Sequence, residues 1–238
     1  MKLKIVGALI TMAMASTSYS GGVQLSKTRI LFKDGETQAS YGLTNHAETP
    51  ILASAIISNF DGSPSEAFAV SPSLYQVQPK KTHQGQIVLL SPLPKDRESV
   101  FWLTVKTVNS ETNDKSDTAT MQIALAQSIK VFYRPKGLDA TCKTSLPKLN
   151  WEMTNEGLKA FNKSKVSFSI VNVKDANNNV HKVGDTIMPL SNKEWQVDHK
   201  REFLEKRYSV SEFTGQSVRI FSSTPLSGSK PLLAVFGH

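Results

Sequence analysis

Apolar and polar residues alternate along almost every segment between Gly22 and Pro135. An alternation of period two is typical of β-strands, because successive side chains point to opposite faces of a sheet. Turn sequences such as KDGE, HAETP and DGSPSE separate the alternating runs. The pattern predicts an antiparallel β-sandwich of immunoglobulin type. Its predicted strands are the opening stretch from Gly22, TRILF (28–32), ASYGLTN (39–45), ILASAIISNF (51–60), FAVSP (68–72), LYQVQ (74–78), GQIVLL (85–90) and SVFWLTVKTV (99–108).

The segment MQIALAQSIKVFYRP (121–135) is a much longer run of the same kind. Met121, Ile123 and Leu125 alternate with smaller or polar neighbours, and no turn signal follows until Pro135. Typical strands have about 5–6 residues, so a strand over this whole segment is more than twice the usual length. The spacing of two places the three apolar side chains on one face.

A second β-rich block follows the segment PKGLDATCKTSLP, whose prolines and glycine predict a hinge. We therefore expect an all-β protein with two sandwich domains, one over residues 21–140 and a smaller one over 141–238. HKREFLEKRY (199–208) fits a short helical turn or a charged loop equally well. The predicted strands of the second block are WEMTNEGLKAFN, VSFSIVNV, HKVGDTIMPL, EWQVDH, YSVSEFT, SVRIFSS and PLLAVFGH.

Residues 1–20 have the layout of a secretory signal peptide. Lys2 and Lys4 precede an apolar run, and Ser18 and Ser20 are the small residues of a cleavage site. The run is shorter than the roughly 20 residues that span a bilayer. We expect cleavage after Ser20, with an uncleaved anchor as the alternative, and a mature chain that is exported and does not insert into a membrane.

The chain is basic, with 28 Lys and Arg residues against 20 Asp and Glu residues and a formal net charge of +8. Such a charge attracts nucleic acid, anionic lipid or an acidic protein. The basic residues are spread along the chain and no nucleic-acid-binding signature is present, so we expect no nucleic-acid partner.

Residues of the types that usually catalyse reactions or bind metals do not form a recognisable site in the sequence. Cys142 is the single cysteine, so stability must come from packed cores, and we expect Cys142 to be a small half-buried residue. No histidine lies in metal-ligand spacing, and no nucleophile elbow, phosphate loop or HExxH motif is present. The sequence predicts no enzyme, no metal and no cofactor.

A secreted adhesin or carbohydrate-binding β-sandwich is the alternative interpretation. Such a protein displays aromatic side chains on an exposed face, and Trp102, Trp151 and Trp195 are the candidates. Each of them lies in a strand-like run, which favours packing inside the sandwich.

The sequence resembles the periplasmic chaperones of the chaperone–usher pilus pathway. Three motifs that occur in the same order as in that family carry the resemblance: TRILF, LPKDRESVFWLTV (93–105) and MQIALAQSIKVFYRP. The resemblance implies two immunoglobulin-like domains with a cleft between them, and assembly of pilus subunits for an outer-membrane usher without catalysis. It also implies that Met121, Ile123 and Leu125 are donated to a subunit whose own fold lacks its last strand. An exposed row of this kind makes self-association of the free protein plausible.

The same resemblance assigns two sets of charged residues. Arg29 and Lys130 match the basic pair that holds the carboxy-terminal carboxylate of a subunit in the cleft, a contact suited to a guanidinium and an ammonium. Glu98, Arg134 and Glu212 match a charge network between the domains, although the family usually has Asp where this chain has Glu212. A surface ion pair is the alternative for Glu212. The single cysteine favours the subclass with a short loop before the donated strand, but residues 108–119 are longer than that subclass implies.

Overall fold

The computed structural model describes residues 22–109, 123–138, 142–153, 157–174, 180–196, 210–211, 217–218 and 234–237. Nearly all regular structure within them is β, as the alternation predicts. The amino-terminal strands are β1 (Val23–Leu25), β2 (Arg29–Lys33), β3 (Gln38–Asn45), β4 (Ile51–Asn59), β5 (Phe68–Ser71), β6 (Leu74–Val77), β7 (Thr82–Leu89), β8 (Ser99–Asn109) and β9 (Leu125–Arg134).

These nine strands form the two sheets of an N-terminal sandwich. One sheet has the order β1-β3-β7-β5 and the other has the order β2-β9-β8-β4-β6. The chain changes sheets between β1 and β2, since β1 pairs with β3 and β2 pairs with β9. β2 runs parallel to β9, whereas β8 and β9 are antiparallel. This change of sheet decides which part of β9 has a neighbour on both sides.

The core of the N-terminal sandwich lies between the two sheets. Phe32, Tyr41, Leu43, Leu103 and Val131 are each at most 1% exposed. Full burial of an apolar side chain of this size contributes about 1.5–3 kcal/mol. The alternation in β4 reads buried, exposed, buried over Ile51–Ala53, which shows that one face of the sheet supplies the core. Apolar packing therefore holds this domain together.

The carboxy-terminal strands form three further sheets, with the orders β10-β11-β14, β13-β12-β17 and β15-β16. Phe168 and Ile187 lie at 0% exposure within them. The strands are β10 (Leu149–Met153), β11 (Gly157–Asn162), β12 (Phe168–Lys174), β13 (Val180–Ile187), β14 (Ser191–Gln196), β15 (Val210–Ser211), β16 (Ser217–Val218) and β17 (Ala234–Gly237).

One prediction for this part of the chain is wrong. WEMTNEGLKAFN is a hairpin of β10 and β11 rather than one strand, because Asn155 and Gly157 in its middle favour a turn. The hinge segment contains a short helix, α1 (Cys142–Ser145), followed by a 3-10 turn (Leu146–Lys148). A helix of four residues is too short to leave a periodic signal.

Candidate functional site

Arg29 and Lys130 are brought side by side by the parallel pairing of β2 with β9. They are direct partners in the register of the two strands, and both side chains are half-buried. Neighbouring strands lie about 4.8 Å apart, so two positive charges share one region of the sheet. The Arg29 guanidinium makes no hydrogen bond or ion pair with any other residue that the structure describes. The pair therefore concentrates positive charge where β2 begins.

The Lys130 ammonium reaches from the N-terminal sandwich to the C-terminal strands. Its Nζ donates to Ser169 Oγ at 2.9 Å and to Thr186 Oγ1 at 2.5 Å. Ser169 on β12 and Thr186 on β13 are register partners, so the two hydroxyls lie next to each other. Lys130 Nζ also lies 5.6 Å from the centre of the Trp102 ring. Lys130 is thus part of the contact between the two domains.

The surroundings of Lys130 disfavour its charge. Burial lowers the pKa of Lys130, the positive charge of Arg29 lowers it further, and the negative charge of Asp185 opposes both effects. An additional carboxylate near Nζ would favour the ammonium form. The site is therefore suited to an anionic ligand.

Two of the three apolar side chains predicted for donation are exposed. Leu125 is 54% exposed and Ile123 is 64% exposed. By the period of two, Leu125 lies on the same face as Ile129, Val131 and Tyr133, which are all buried. The apolar face of β9 continues beyond the core of its own domain. These two side chains do not fill that core.

The strand prediction for this segment is wrong at its amino-terminal end. β9 begins at Leu125, so Ile123 precedes the strand, and Met121 lies outside the described residues. The pairing of β9 with β8 starts at Leu125 and Thr107. Among the described residues, Ile123 and Ala124 have no register partner on β8 to hold them extended. Periodicity alone does not report where a partner strand ends.

β9 divides into two halves according to its neighbours. In the closed half (Lys130–Arg134), every residue has a register partner on β2 and the residues as far as Tyr133 also have one on β8. In the open half (Leu125–Ile129), residues pair with β8 and no other described strand lies on the second edge. Gln127 in the open half donates its side-chain N–H to the Val23 carbonyl at 2.7 Å. An open edge of this kind is available to a strand from another chain.

Glu98 and Arg134 form a second contact between the domains. Arg134 Nε and Nη2 donate to Glu98 Oε1 at 2.8 and 2.5 Å. Glu98 Oε2 accepts from both the N–H and the Oγ–H of Ser167 at 2.9 Å, and Glu98 is 3% exposed. One buried carboxylate thus joins the end of β9 to the C-terminal strands. Glu212, the third predicted member, lies outside the described residues.

Sequence analysis missed Ser167, Ser169 and Thr186, which supply the C-terminal side of both contacts. A signal was present in VSFSI (166–170), where serines alternate with apolar residues in a predicted strand. A polar face in a strand of the second domain indicates contact with solvent or with polar groups of another domain. The partners of those serines are set by tertiary structure.

Trp102, Trp151 and Trp195, the candidates for carbohydrate binding, are engaged in contacts within the protein. Trp102 stacks on Phe60 with ring centres 5.5 Å apart. Trp151 is 6% exposed and stacks on Trp195 at 6.0 Å. Packing therefore accounts for these side chains, as their positions in strands predict.

The described residues contain no group of three or more His, Cys, Asp or Glu side chains placed to hold a metal ion. Within the same residues, no helix has the length and apolarity needed to cross a membrane. Cys142 begins α1, and its side chain lies outside the described part of the structure.

Comparison with known proteins gives consistent matches. Residues 22–139 match the family model for the pili and flagellar-assembly chaperone, PapD N-terminal domain. The probable fimbrial chaperone LpfB of Escherichia coli O157:H7 is 33% identical over 164 residues, which cover 68% of this chain and 71% of LpfB.

Solved structures show the same architecture. The Pseudomonas aeruginosa CupB2 chaperone is 28% identical, with a TM-score of 0.59 over 73% of this chain and 88% of CupB2. A structure of the Salmonella enterica SafA pilin in complex with the SafB chaperone matches with a TM-score of 0.67 at 24% identity, over 74% of this chain and 84% of the matched chain. The fold is that of two-domain chaperones with immunoglobulin-like domains.

Proposed function

Since this chain belongs to the family of pili and flagellar-assembly chaperones, we propose that it binds pilus subunits by lending them the open half of β9. It is a fimbrial chaperone of the chaperone–usher pathway. Its relatives are chaperones and not enzymes. The proposal is carried by one stretch of strand on which Leu125 is exposed and one edge has no partner among the described strands.

The open half supplies both parts of strand addition. A guest strand gains main-chain hydrogen bonds from the free edge, and alternate side chains of β9 fill pockets in the guest. Ile123 and Leu125, together with Met121, are the donated side chains. Each contributes about 1.5–3 kcal/mol when buried, before the cost of ordering the complex. Covering the groove of an incomplete subunit in this way prevents its aggregation.

Arg29 and Lys130 anchor the carboxy-terminal carboxylate of the subunit. Both lie at the junction of the open and closed halves of β9, where β2 begins. A carboxylate held there fixes the register of the guest strand, and a slip of one residue would turn its side chains to the wrong face. The lowered pKa of Lys130 supports this role, because the negative charge of a bound carboxylate stabilises the ammonium form and raises the pKa again.

The partners follow from the same proposal. The complex of the SafB chaperone with the SafA pilin supports a pilin as the ligand. We place the chaperone in the periplasm after export by residues 1–20, from where it delivers subunits to an outer-membrane usher. We assign subunit binding to an N-terminal domain over residues 21–140, adjoining a C-terminal domain over 141–238. Glu98 and Arg134, with Glu212, set the angle between these domains.

Co-expression with the products of neighbouring genes, followed by a periplasmic pull-down, tests the proposal and identifies the subunit. Leu125→Glu should abolish recovery of the subunit while thermal unfolding of the free protein stays unchanged. Leu90→Glu is the matched control, since Leu90 is 63% exposed and lies outside β9. Equal recovery by both variants would exclude donation of the open half. Aggregation of Leu125→Glu on its own would show instead that the side chain belongs to the protein's core.

A further inference from the structure

Lys130 is held across the domain contact by neutral groups. An ammonium has three N–H donors, and Ser169 Oγ and Thr186 Oγ1 accept from Lys130. Arg29 lies beside Lys130 in the sheet, and Arg134 and Glu98 pair with each other. None of these contacts brings a negative charge to Lys130. The charge that balances the ammonium in the free protein must come from elsewhere.

Asp185 is placed to supply that charge. It precedes Thr186 on β13, and its Oδ1 accepts the Thr186 N–H at 2.7 Å. Its Oδ2 accepts from Trp195 Nε1 at 3.2 Å and lies 3.1 Å from Lys193 Nζ. Burial acts to raise the pKa of Asp185, but these hydrogen bonds and the charge of Lys193 lower the pKa overall. The carboxylate is therefore ionised at neutral pH.

Thr186 connects the two charged groups. Its hydroxyl accepts from Lys130, while its N–H donates to Asp185. Adjacent residues of a strand point to opposite faces, so Asp185 lies behind Thr186 and does not occupy the remaining N–H of the ammonium. Asp185 acts on Lys130 through its field, and it opposes the effects of burial and of Arg29.

We propose that Asp185 is a positioning residue for subunit capture, which fixes Thr186 and keeps Lys130 charged while the third N–H of the ammonium remains open to a carboxylate. The inference rests on the proposed function, and it assigns residues of the C-terminal strands to the carboxylate site. The hydroxyls of Ser169 and Thr186 accept hydrogen bonds from the ammonium, and the negative charge of Asp185 favours its charged form. The residues that decide the charge of Lys130 thus come from both domains.

An NMR titration of the Lys130 side chain in the free protein tests the charge balance without any subunit. In Asp185→Asn, which keeps an oxygen acceptor for the Thr186 N–H, the midpoint should move to lower pH, because a charge that favours the ammonium is lost. Glu194→Gln is the matched control, since it removes one negative charge from β14, where Glu194 lies 3.7 Å from Lys159. Identical midpoints in wild type, Asp185→Asn and Glu194→Gln would overturn the inference.

A binding measurement then tests whether the charge of Lys130 affects binding of the subunit. The probe is a peptide copying the carboxy-terminal segment of the subunit recovered by pull-down, as free acid and as amide. At alkaline pH, Asp185→Asn should bind the free acid about fivefold or more weakly than wild type does. Adding Lys130→Arg should restore binding, because a guanidinium does not lose its proton.

The outcomes separate the two ideas. Equal binding of free acid and amide by the wild type would exclude carboxylate anchoring, and the titration would still decide whether Asp185 sets the charge of Lys130. Weak binding that Lys130→Arg fails to restore in Asp185→Asn would overturn the role of charge.

Discussion

The two halves of β9 have the same alternation of side chains but different surroundings. In the closed half, Val131 and Tyr133 are at most 2% exposed. Lys130 donates to Ser169 on the C-terminal side, and Arg134 pairs with Glu98, which accepts from Ser167. In the open half, Leu125 is 54% exposed and one edge lacks a described partner. An apolar row in a strand therefore predicts that its side chains are buried, but it does not say whether the same chain or another molecule covers them.

The position of β2 creates the difference. β2 pairs with β9 from Lys130 onwards, and β1, which precedes it in the chain, belongs to the opposite sheet. Had the chain joined the β9 sheet earlier, the open half would have been paired within its own domain. The change of sheet between β1 and β2 leaves the edge free.

Removing the buried Glu98 carboxylate, which supports the closed half, should cause the largest loss of stability. Glu98→Ala removes the carboxylate that accepts from Arg134 and from the Ser167 N–H, and we expect a loss of about 3 kcal/mol in the free energy of unfolding, measured by urea denaturation. This is the low end for a broken buried ion pair, because the Arg134 side chain is 33% exposed. Glu98→Gln, which keeps an acceptor, should lose less. Faster hydrogen exchange at the Ser167 amide should accompany Glu98→Ala, and unchanged exchange there would contradict the contact.

A pair of truncations compares the two halves directly. Val131→Ala removes methyl groups from a fully buried site and should cost about 2 kcal/mol of unfolding free energy. Leu125→Ala removes more atoms but should change the unfolding free energy by less than about 0.5 kcal/mol, since the side chain is largely exposed. Subunit recovery should show the reverse order, with Leu125→Ala the weaker binder. Equal destabilisation by the two variants would mean that the halves do not differ.

A smaller loss of stability than that of Val131→Ala is expected for a change at Gln127, which lies in the open half and contacts β1. Gln127→Ala removes the hydrogen bond to the Val23 carbonyl and should cost about 1 kcal/mol. The amides of β1 should exchange faster with solvent, while those of the closed half stay protected. Gln24→Ala is a suitable control, because its side chain contacts His46 and not β9. Unchanged exchange in β1 after Gln127→Ala would show that this bond does not fix the position of β1.

The sequence was most informative where the signal is local. Alternation predicted β4 and β8 nearly to their ends, and the turns KDGE and DGSPSE contain Gly35 and Gly62 at φ of 94° and 90°, which glycine adopts readily. The predicted start of β9 was too early, since Ile123 precedes the strand and the ladder with β8 begins at Leu125 and Thr107.

The candidate site likewise contains residues that the sequence predicted and residues that only the tertiary structure reveals. Arg29, Lys130, Glu98 and Arg134 were predicted through motif resemblance, and the structure brings Arg29 next to Lys130 and Arg134 next to Glu98. Ser167, Ser169, Thr186 and Asp185 were missed. They lie in the second β-rich block, far along the chain from the motifs, and ordinary strand alternation gives no indication of which charged group each would meet.

The parallel pairing of β2 with β9 has a consequence for direction. A guest strand on the open half with its chain terminus at Arg29 would lie end to end with β2 and run the same way, so it too would be parallel to β9. Parallel ladders are slightly less stable per residue than antiparallel ones. The ladder between the proposed guest strand and β9 is therefore of the weaker kind, and β2, which begins at Arg29, sets where that guest strand would end.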